Sequence, residues 1–181
     1  MNTAVKERPG HLALDQAAID AAAKNLDGGA VTPSYGAWRD DIVKLLNDAL
    51  ATELVCVLRY KRHYFTANGV SSPKIAEEFL VHANEESGHA DKIAERIVQL
   101  GGEPDFNPMT LLERSHAGYD EATDLQAMVR SNLVAERIAV ESYRQMIALI
   151  GDKDPTTRRM LEEILTDEEE HADELKDWLG H

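Results

Sequence analysis

Four long segments of the chain share one pattern: a helical stripe that is apolar at both ends and ionisable in the middle. The stripe positions recur every three or four residues, which places their side chains on one face of an α-helix. Such a face points inward in a helical protein, so the pattern predicts carboxylates and imidazoles inside an apolar core. The ionisable members are Glu53, His82, Glu86, His89, Glu136, Glu168 and His171.

Flanking residues delimit these segments as four long helices. Two of them begin with a capping residue followed by proline, Ser72-Pro73 and Asp154-Pro155, and Ser34 is a possible N-cap for the first. Glycine ends the second and third at Gly101 and Gly151. The predicted helices span about 36–67, 72–101 and 120–150, and the fourth runs from 154 nearly to the C-terminus.

The connections between the helices predict their topology. Short turns near Gly69 and over 151–153 make two antiparallel helical hairpins, whereas the stretch 102–119 is too long for a hairpin turn. That stretch fits a crossover running the length of a bundle. The sequence therefore predicts an all-α fold, a four-helix bundle of two antiparallel hairpins over residues 36–181. Residues 1–35 are predicted to be an N-terminal extension and linker, with one short helix.

Carboxylates buried at the middle of one bundle would repel one another, and each is costly to desolvate. Two divalent cations would balance four carboxylates, with neutral histidines completing the ligand set. The Glu-x-x-His pairs Glu86/His89 and Glu168/His171 place both ligands on one helix face. One lone glutamate from each of the other helices completes the pattern of di-metal bundles. These are Glu53 and Glu136, each followed seven residues later by a tyrosine, Tyr60 or Tyr143.

A third Glu-x-x-His match, Glu113/His116, lies in the crossover outside any helical stripe and is interpreted as coincidence. Glu85 and the acids of 167–170 are interpreted as non-ligands that are solvated or line an interior surface. Cys56 is expected to be a small core residue. Whether His82 or Tyr143 takes part in the chemistry is left open.

The formal net charge of −14 disfavours DNA binding, which needs cationic side chains facing phosphates. The single cysteine excludes an intrachain disulfide. No apolar run is long enough to span a membrane, and the N-terminal residues lack the apolar stretch of a signal peptide. A cytoplasmic location is therefore expected.

At these positions the chain resembles the ferritin superfamily, and bacterioferritins most closely. The matching segments are LLNDALATELVCVLRYKRHYF, EESGHADKIAERIVQLGGEPD, NLVAERIAVESY and LTDEEEHADELKDWL. The resemblance implies a ferritin-like bundle with a ferroxidase centre of two Fe ions per subunit, oxidised by O2 or H2O2, and ferric mineral stored in a hollow shell. It implies that Glu86 and Glu168 bridge the metals and that Tyr60 lies beside the centre. Glu53 with His89, and Glu136 with His171, would complete the two metal positions.

Three departures refine this resemblance. The methionine that binds haem in bacterioferritins is replaced by Ser87, so haem is not expected. The chain stops ten residues after His171. In this it resembles Dps-like ferritins, whose shells have twelve subunits, more than it resembles bacterioferritins. The pair of cysteines found near the site in some Dps-like ferritins is missing, since only Cys56 is present.

Two alternative functions remain open at this stage. One is another di-metal enzyme on the same scaffold, such as a rubrerythrin-like peroxidase or a manganese catalase. The other is a non-enzymatic helical shell stabilised by a metal ion. Carboxylate and imidazole ligands suit Fe or Mn, and they also accommodate Zn.

Overall fold

The computed structural model describes residues 12–69 and 72–180, and the regular structure within these ranges is entirely helical. The all-α prediction is confirmed. The helices are α1 Gln16–Ala22, α2 Trp38–Thr66, α3 Ser72–Gln99, α4 Leu111–Arg114, α5 Leu125–Ile150 and α6 Pro155–Trp178. Helix α2 packs along α3, and α5 packs along α6, which gives the two hairpins.

Two of the predicted helix starts are wrong. Ser34 does not cap α2, because it lies inside a short 3-10 turn over Pro33–Tyr35 and α2 begins only at Trp38. Helix α5 begins five residues later than predicted, because the side chain of Asp124 accepts a hydrogen bond from the Ala127 amide and sets the first turn there. The start of α6 is as predicted, with Asp154 as N-cap and Pro155 in the first turn.

Successive residues of the crossover between α3 and α5 contact successive residues of α2. The crossover therefore follows that helix from one end of the bundle to the other. At Gly102, where the crossover begins, a Cβ would lie 2.6 Å from Cγ1 of Val43, so glycine permits this close approach. The successive contacts are Arg114 with Asn47, His116 with Thr52, Gly118 with Arg59 and Ala122 with Arg62.

Two apolar clusters fill the bundle on either side of its middle. One includes Leu46 and Ile97, and the other includes Phe79 and Val129. Along each of the four long helices, the six predicted metal ligands fall between these two clusters. Burial of the clusters therefore fixes the depth at which the ionisable side chains meet.

The N-terminal part is different, because α1 has no buried residue. The division of the chain near residue 35 stays a prediction, as does everything inferred for residues 1–11, which lie outside the described ranges. None of the described helices has the length and apolar character needed to cross a membrane.

Candidate metal centre

The six predicted ligands converge at the middle of the bundle. Each of the four long helices contributes at least one of them, and each is almost fully inaccessible to solvent. Glu136 and Glu168 have no exposed surface, and even His171, the most exposed of the six, retains only 3%. The remaining members are Glu53, Glu86 and His89.

One half of the cluster is centred on His89. The Nδ1 atom of its ring lies 3.1 Å from Oε1 of Glu168, 3.4 Å from Oε2 of Glu86 and 3.5 Å from Oε2 of Glu53. Ligand atoms of these four residues all lie within 4.8 Å of one another. One cation could therefore contact all four side chains.

The other half is centred on His171. Its Nδ1 atom lies 3.8 Å from Oε1 of Glu86 and 3.9 Å from Oε2 of Glu136. Glu86, Glu136, Glu168 and His171 form a second group with ligand atoms within 4.8 Å. Glu86 and Glu168 belong to both halves, which is the arrangement that two bridging carboxylates would have.

The unpaired atoms of these residues test whether a pair of cations fits. Eight buried atoms of the six side chains have no hydrogen-bond partner in the described structure, and they include both oxygens of Glu86 and Glu168 and Nδ1 of both histidines. Buried polar atoms are otherwise almost always paired. Carboxylate oxygens and imidazole nitrogens are ligands for Fe, Mn and Zn, so the donor set fits two divalent ions.

The pKa values of the cluster carboxylates also indicate that negative charges are crowded together at the centre. Burial, together with the charges of neighbouring carboxylates, raises the pKa of Glu86 and of Glu168 well above the usual range. Burial alone would also raise the pKa of Glu53, but its close contacts with Glu86 and His89 and the hydrogen bond from Tyr143 lower it. The cluster therefore resists holding all its negative charges unless cations compensate them.

Two further carboxylates, to which the sequence pattern assigned no role at the centre, contact the two histidines. Nε2 of His89 lies 3.0 Å from Oδ2 of Asp167, and Nε2 of His171 lies 2.9 Å from Oε2 of Glu85. Both acids are about half exposed, as expected for non-ligands. They nevertheless bind the ring nitrogen opposite the cluster, a contact that fixes the tautomer of metal-binding histidines. Each acid precedes a cluster glutamate directly in the sequence, and that adjacency could have indicated this role.

Two tyrosines complete the surroundings of the cluster. The Tyr60 hydroxyl donates to Oε1 of Glu136, and the Tyr143 hydroxyl donates to Oε1 of Glu53. Burial, together with the nearby carboxylates, raises the pKa of both hydroxyls well above 10, so both remain protonated donors. Tyr60 lies beside the cluster, as the family resemblance implied, and Tyr143 occupies the corresponding place on the other side.

The remaining candidates differ in their surroundings. His82 is buried and stacks on His171 with ring centroids 4.0 Å apart, and burial lowers its pKa to about 4, so its ring is neutral. Cys56 is buried, and burial raises the pKa of its thiol to about 12, as in an unreactive core residue. His116 hydrogen-bonds Thr52, and neither it nor Glu113 belongs to a ligand cluster within the described ranges.

Comparison with known proteins gives consistent relatives. The model of the ferritin-like domain matches residues 43–181. A bacterioferritin of Mycobacterium avium is 28% identical over 147 residues, which cover 77% of this chain and 88% of the relative. The nutrient stress-induced DNA-binding protein of a Synechococcus species is 31% identical over 140 residues, covering 75% of this chain and 78% of the relative.

A solved structure resembles the whole bundle. The bacterioferritin-related protein of Bacteroides fragilis, described as a dodecameric thioferritin, superposes with a TM-score of 0.75 at 28% identity. The match covers 92% of this chain and 94% of that one.

Proposed function

Because the chain belongs to the ferritin-like family, we propose that it oxidises Fe(II) at the six-residue centre and stores the ferric product in a shell built from its own copies. The observation that carries this proposal is the set of eight unpaired carboxylate and imidazole atoms that converge from four helices at the buried middle of the bundle. A core of this composition is costly to fold without bound cations, which argues that cation binding is its purpose.

Each side chain has a place in the proposed reaction. Glu86 and Glu168 would bridge the two iron positions, Glu53 and His89 would complete one, and Glu136 and His171 would complete the other. Tyr60 and Tyr143 hold the lone glutamates by hydrogen bonds, and Asp167 and Glu85 hold the histidine rings.

Holding two Fe(II) ions together has a chemical reason. The pair supplies the two electrons that reduce O2 to hydrogen peroxide, or hydrogen peroxide to water, in one encounter. The burial of the ligands keeps bulk water away from the reacting atoms, and the shared carboxylates keep the two ions close. Single-electron products of oxygen reduction, which are damaging, are thereby avoided.

Rapid mixing of apo-protein with Fe(II) and an oxidant tests the proposal. Glu86→Ala and His171→Ala each remove one ligand and should slow the fast oxidation phase by at least about 100-fold, since even outer partners of metal ligands matter on that scale. Glu77→Ala, an exposed residue on the same helix, and His116→Ala are matched controls that should keep the fast phase. An unchanged fast phase in both ligand variants would reject the centre.

We also propose that the shell contains about twelve subunits, because the B. fragilis relative is a dodecamer. Native mass measurement of the purified protein tests this assembly, and a dimer or monomer would reject storage in a shell. The net charge of −14 opposes DNA binding of the kind that the name of the Synechococcus relative gives for that protein.

A further inference from the structure

A second group of metal-ligating side chains lies beside the six-residue centre. Glu78, His82 and Glu174 each offer a ligand atom, and these atoms lie within 4.8 Å of one another. Nε2 of His82 is 3.0 Å from Oε2 of Glu174 and 3.7 Å from Oε1 of Glu78. We propose that these three residues form a third site for a divalent cation, through which metal ions reach the buried pair.

The hydrogen bonds of His82 argue that its Nε2 is a ligand atom. The single proton of the Tyr60 hydroxyl goes to Glu136, so in the 3.1 Å contact between His82 Nδ1 and the Tyr60 oxygen the ring must be the donor. With Nδ1 engaged by Tyr60, Nε2 is the ring nitrogen that faces the oxygens of Glu78 and Glu174, so that the three possible ligand atoms point to one place.

The two carboxylates of the site are crowded in the same way. Burial, together with a hydrogen bond and the charge of Glu174, raises the pKa of Glu78. A bound cation would relieve this repulsion, as proposed for the buried centre.

The site opens towards solvent, unlike the buried centre. The side chains of Glu78 and Glu174 are 28% and 41% exposed, whereas that of His82 is only 1% exposed. A hydrated cation can therefore reach the carboxylates first and then contact the imidazole.

The same histidine also borders the buried centre. His82 forms another compact ligand group with Glu136 and His171, again within 4.8 Å, and its ring stacks on that of His171. One side chain thus lies between a solvent-accessible cation position and one half of the buried pair. The transfer role rests on the proposed function, whereas cation binding at Glu78, His82 and Glu174 does not.

Binding of Co(II) to apo-protein, counted by metal analysis after gel filtration and followed by its visible absorption, tests the site. Glu78→Gln with Glu174→Gln removes two ligands at partly exposed positions, where misfolding is not expected. Glu77→Gln with Glu163→Gln makes the same charge change at exposed positions of the same two helices and serves as control.

The expected counts separate the two sites. Wild type and control should retain about three Co(II) per subunit, and the Glu78/Glu174 variant about two, with loss of one absorption component. A variant of the centre, Glu86→Gln with Glu168→Gln, should keep about one. Equal counts in wild type and the Glu78/Glu174 variant would overturn the third site. Full retention of Co(II) by the Glu86/Glu168 variant would instead overturn the buried centre.

The transfer role has its own readout. At Fe(II) concentrations below saturation, the Glu78/Glu174 variant should load iron about tenfold more slowly, because local carboxylates raise the capture rate of cations. Saturating Fe(II) should restore the wild-type rate. An unchanged rate at limiting Fe(II) would overturn the transfer role.

Discussion

Tyr143 on α5 donates a hydrogen bond to Glu53 on α2, the glutamate of the opposite hairpin. Tyr60 on α2 makes the reciprocal contact to Glu136 on α5. In the sequence each tyrosine follows the lone glutamate of its own helix by seven residues, yet each donates its hydrogen bond to the glutamate of the other helix. The two hairpins are therefore joined at the centre by exchanged hydrogen bonds as well as by the shared carboxylates.

Removing either hydroxyl should weaken metal binding. Tyr143→Phe and Tyr60→Phe keep the packing but free one oxygen of a ligand glutamate, so Co(II) affinity of the centre should fall about 10- to 100-fold. Calorimetric titration of the apo-protein measures this change. Tyr64→Phe, on α2 but packed against Phe65, is the control and should bind as wild type does. Wild-type affinity in both hydroxyl variants would show that the exchanged contacts do not position the ligands.

Asp167 and Glu85, which contact the outer ring nitrogens of His89 and His171, should affect metal affinity although they are not proposed as metal ligands. Asp167→Asn and Glu85→Gln replace the partners of His89 and His171, and each should reduce metal affinity about 10- to 100-fold by loosening a ring. The matched control is Glu170→Gln, which changes an exposed acid of the same helix. Equal affinity in all three variants would contradict the orienting role.

Removing metal should reverse the order of thermal stability between wild type and a variant with two neutralised carboxylates at the centre. Glu86→Gln with Glu168→Gln relieves the like-charge repulsion that raises both pKa values, so with chelator present the variant should melt no lower than wild type. With Co(II) added, wild type should gain stability through binding and melt higher than the variant. Thermal unfolding at fixed protein concentration measures both states. A variant that melts lower than wild type in chelator would contradict the repulsion.

A buried ion pair far from the centre should make stability depend on pH. Both oxygens of Asp154 accept from Nη2 of Arg96, at 3.0 and 2.9 Å. Burial alone would raise the pKa of Asp154, but hydrogen bonds from Thr157 and Arg96 lower it. A lowered pKa stabilises the fold above the ordinary Asp range of about 3.9, and this stabilisation is lost as pH falls through the folded value.

Asp154→Asn should therefore cost about 3–5 kcal/mol at pH 7, because it leaves the guanidinium of Arg96 buried without its anion. The difference from wild type should shrink as pH falls below about 4. Denaturant unfolding across pH measures it, and Asp152→Asn, whose side chain is 98% exposed, is the control. A difference that stays constant with pH would show that the carboxylate charge is not the cause.

The sequence was sufficient for the four long helices, their topology and the convergence of their stripes, because these follow from periodicity and loop length. It did not indicate that Arg59 is fully buried, with hydrogen bonds to Asn132 and Gly118. That burial depends on the crossover covering one face of α2, which is a long-range contact that no local pattern encodes. Helical stripes drift from the bundle axis, and Val57 and Val140, each four residues after the lone glutamate of its helix, are accordingly only partly buried.

The chemistry of the centre depends on two ions occupying the space between the six ligands. Diffraction at the iron absorption edge, from crystals soaked anaerobically in Fe(II), locates such ions without reference to activity. Two anomalous peaks are expected, one bounded by Glu53 and His89 and one by Glu136 and His171, with Glu86 and Glu168 between them. The absence of peaks there, even with iron bound elsewhere on the protein, would contradict the di-iron centre.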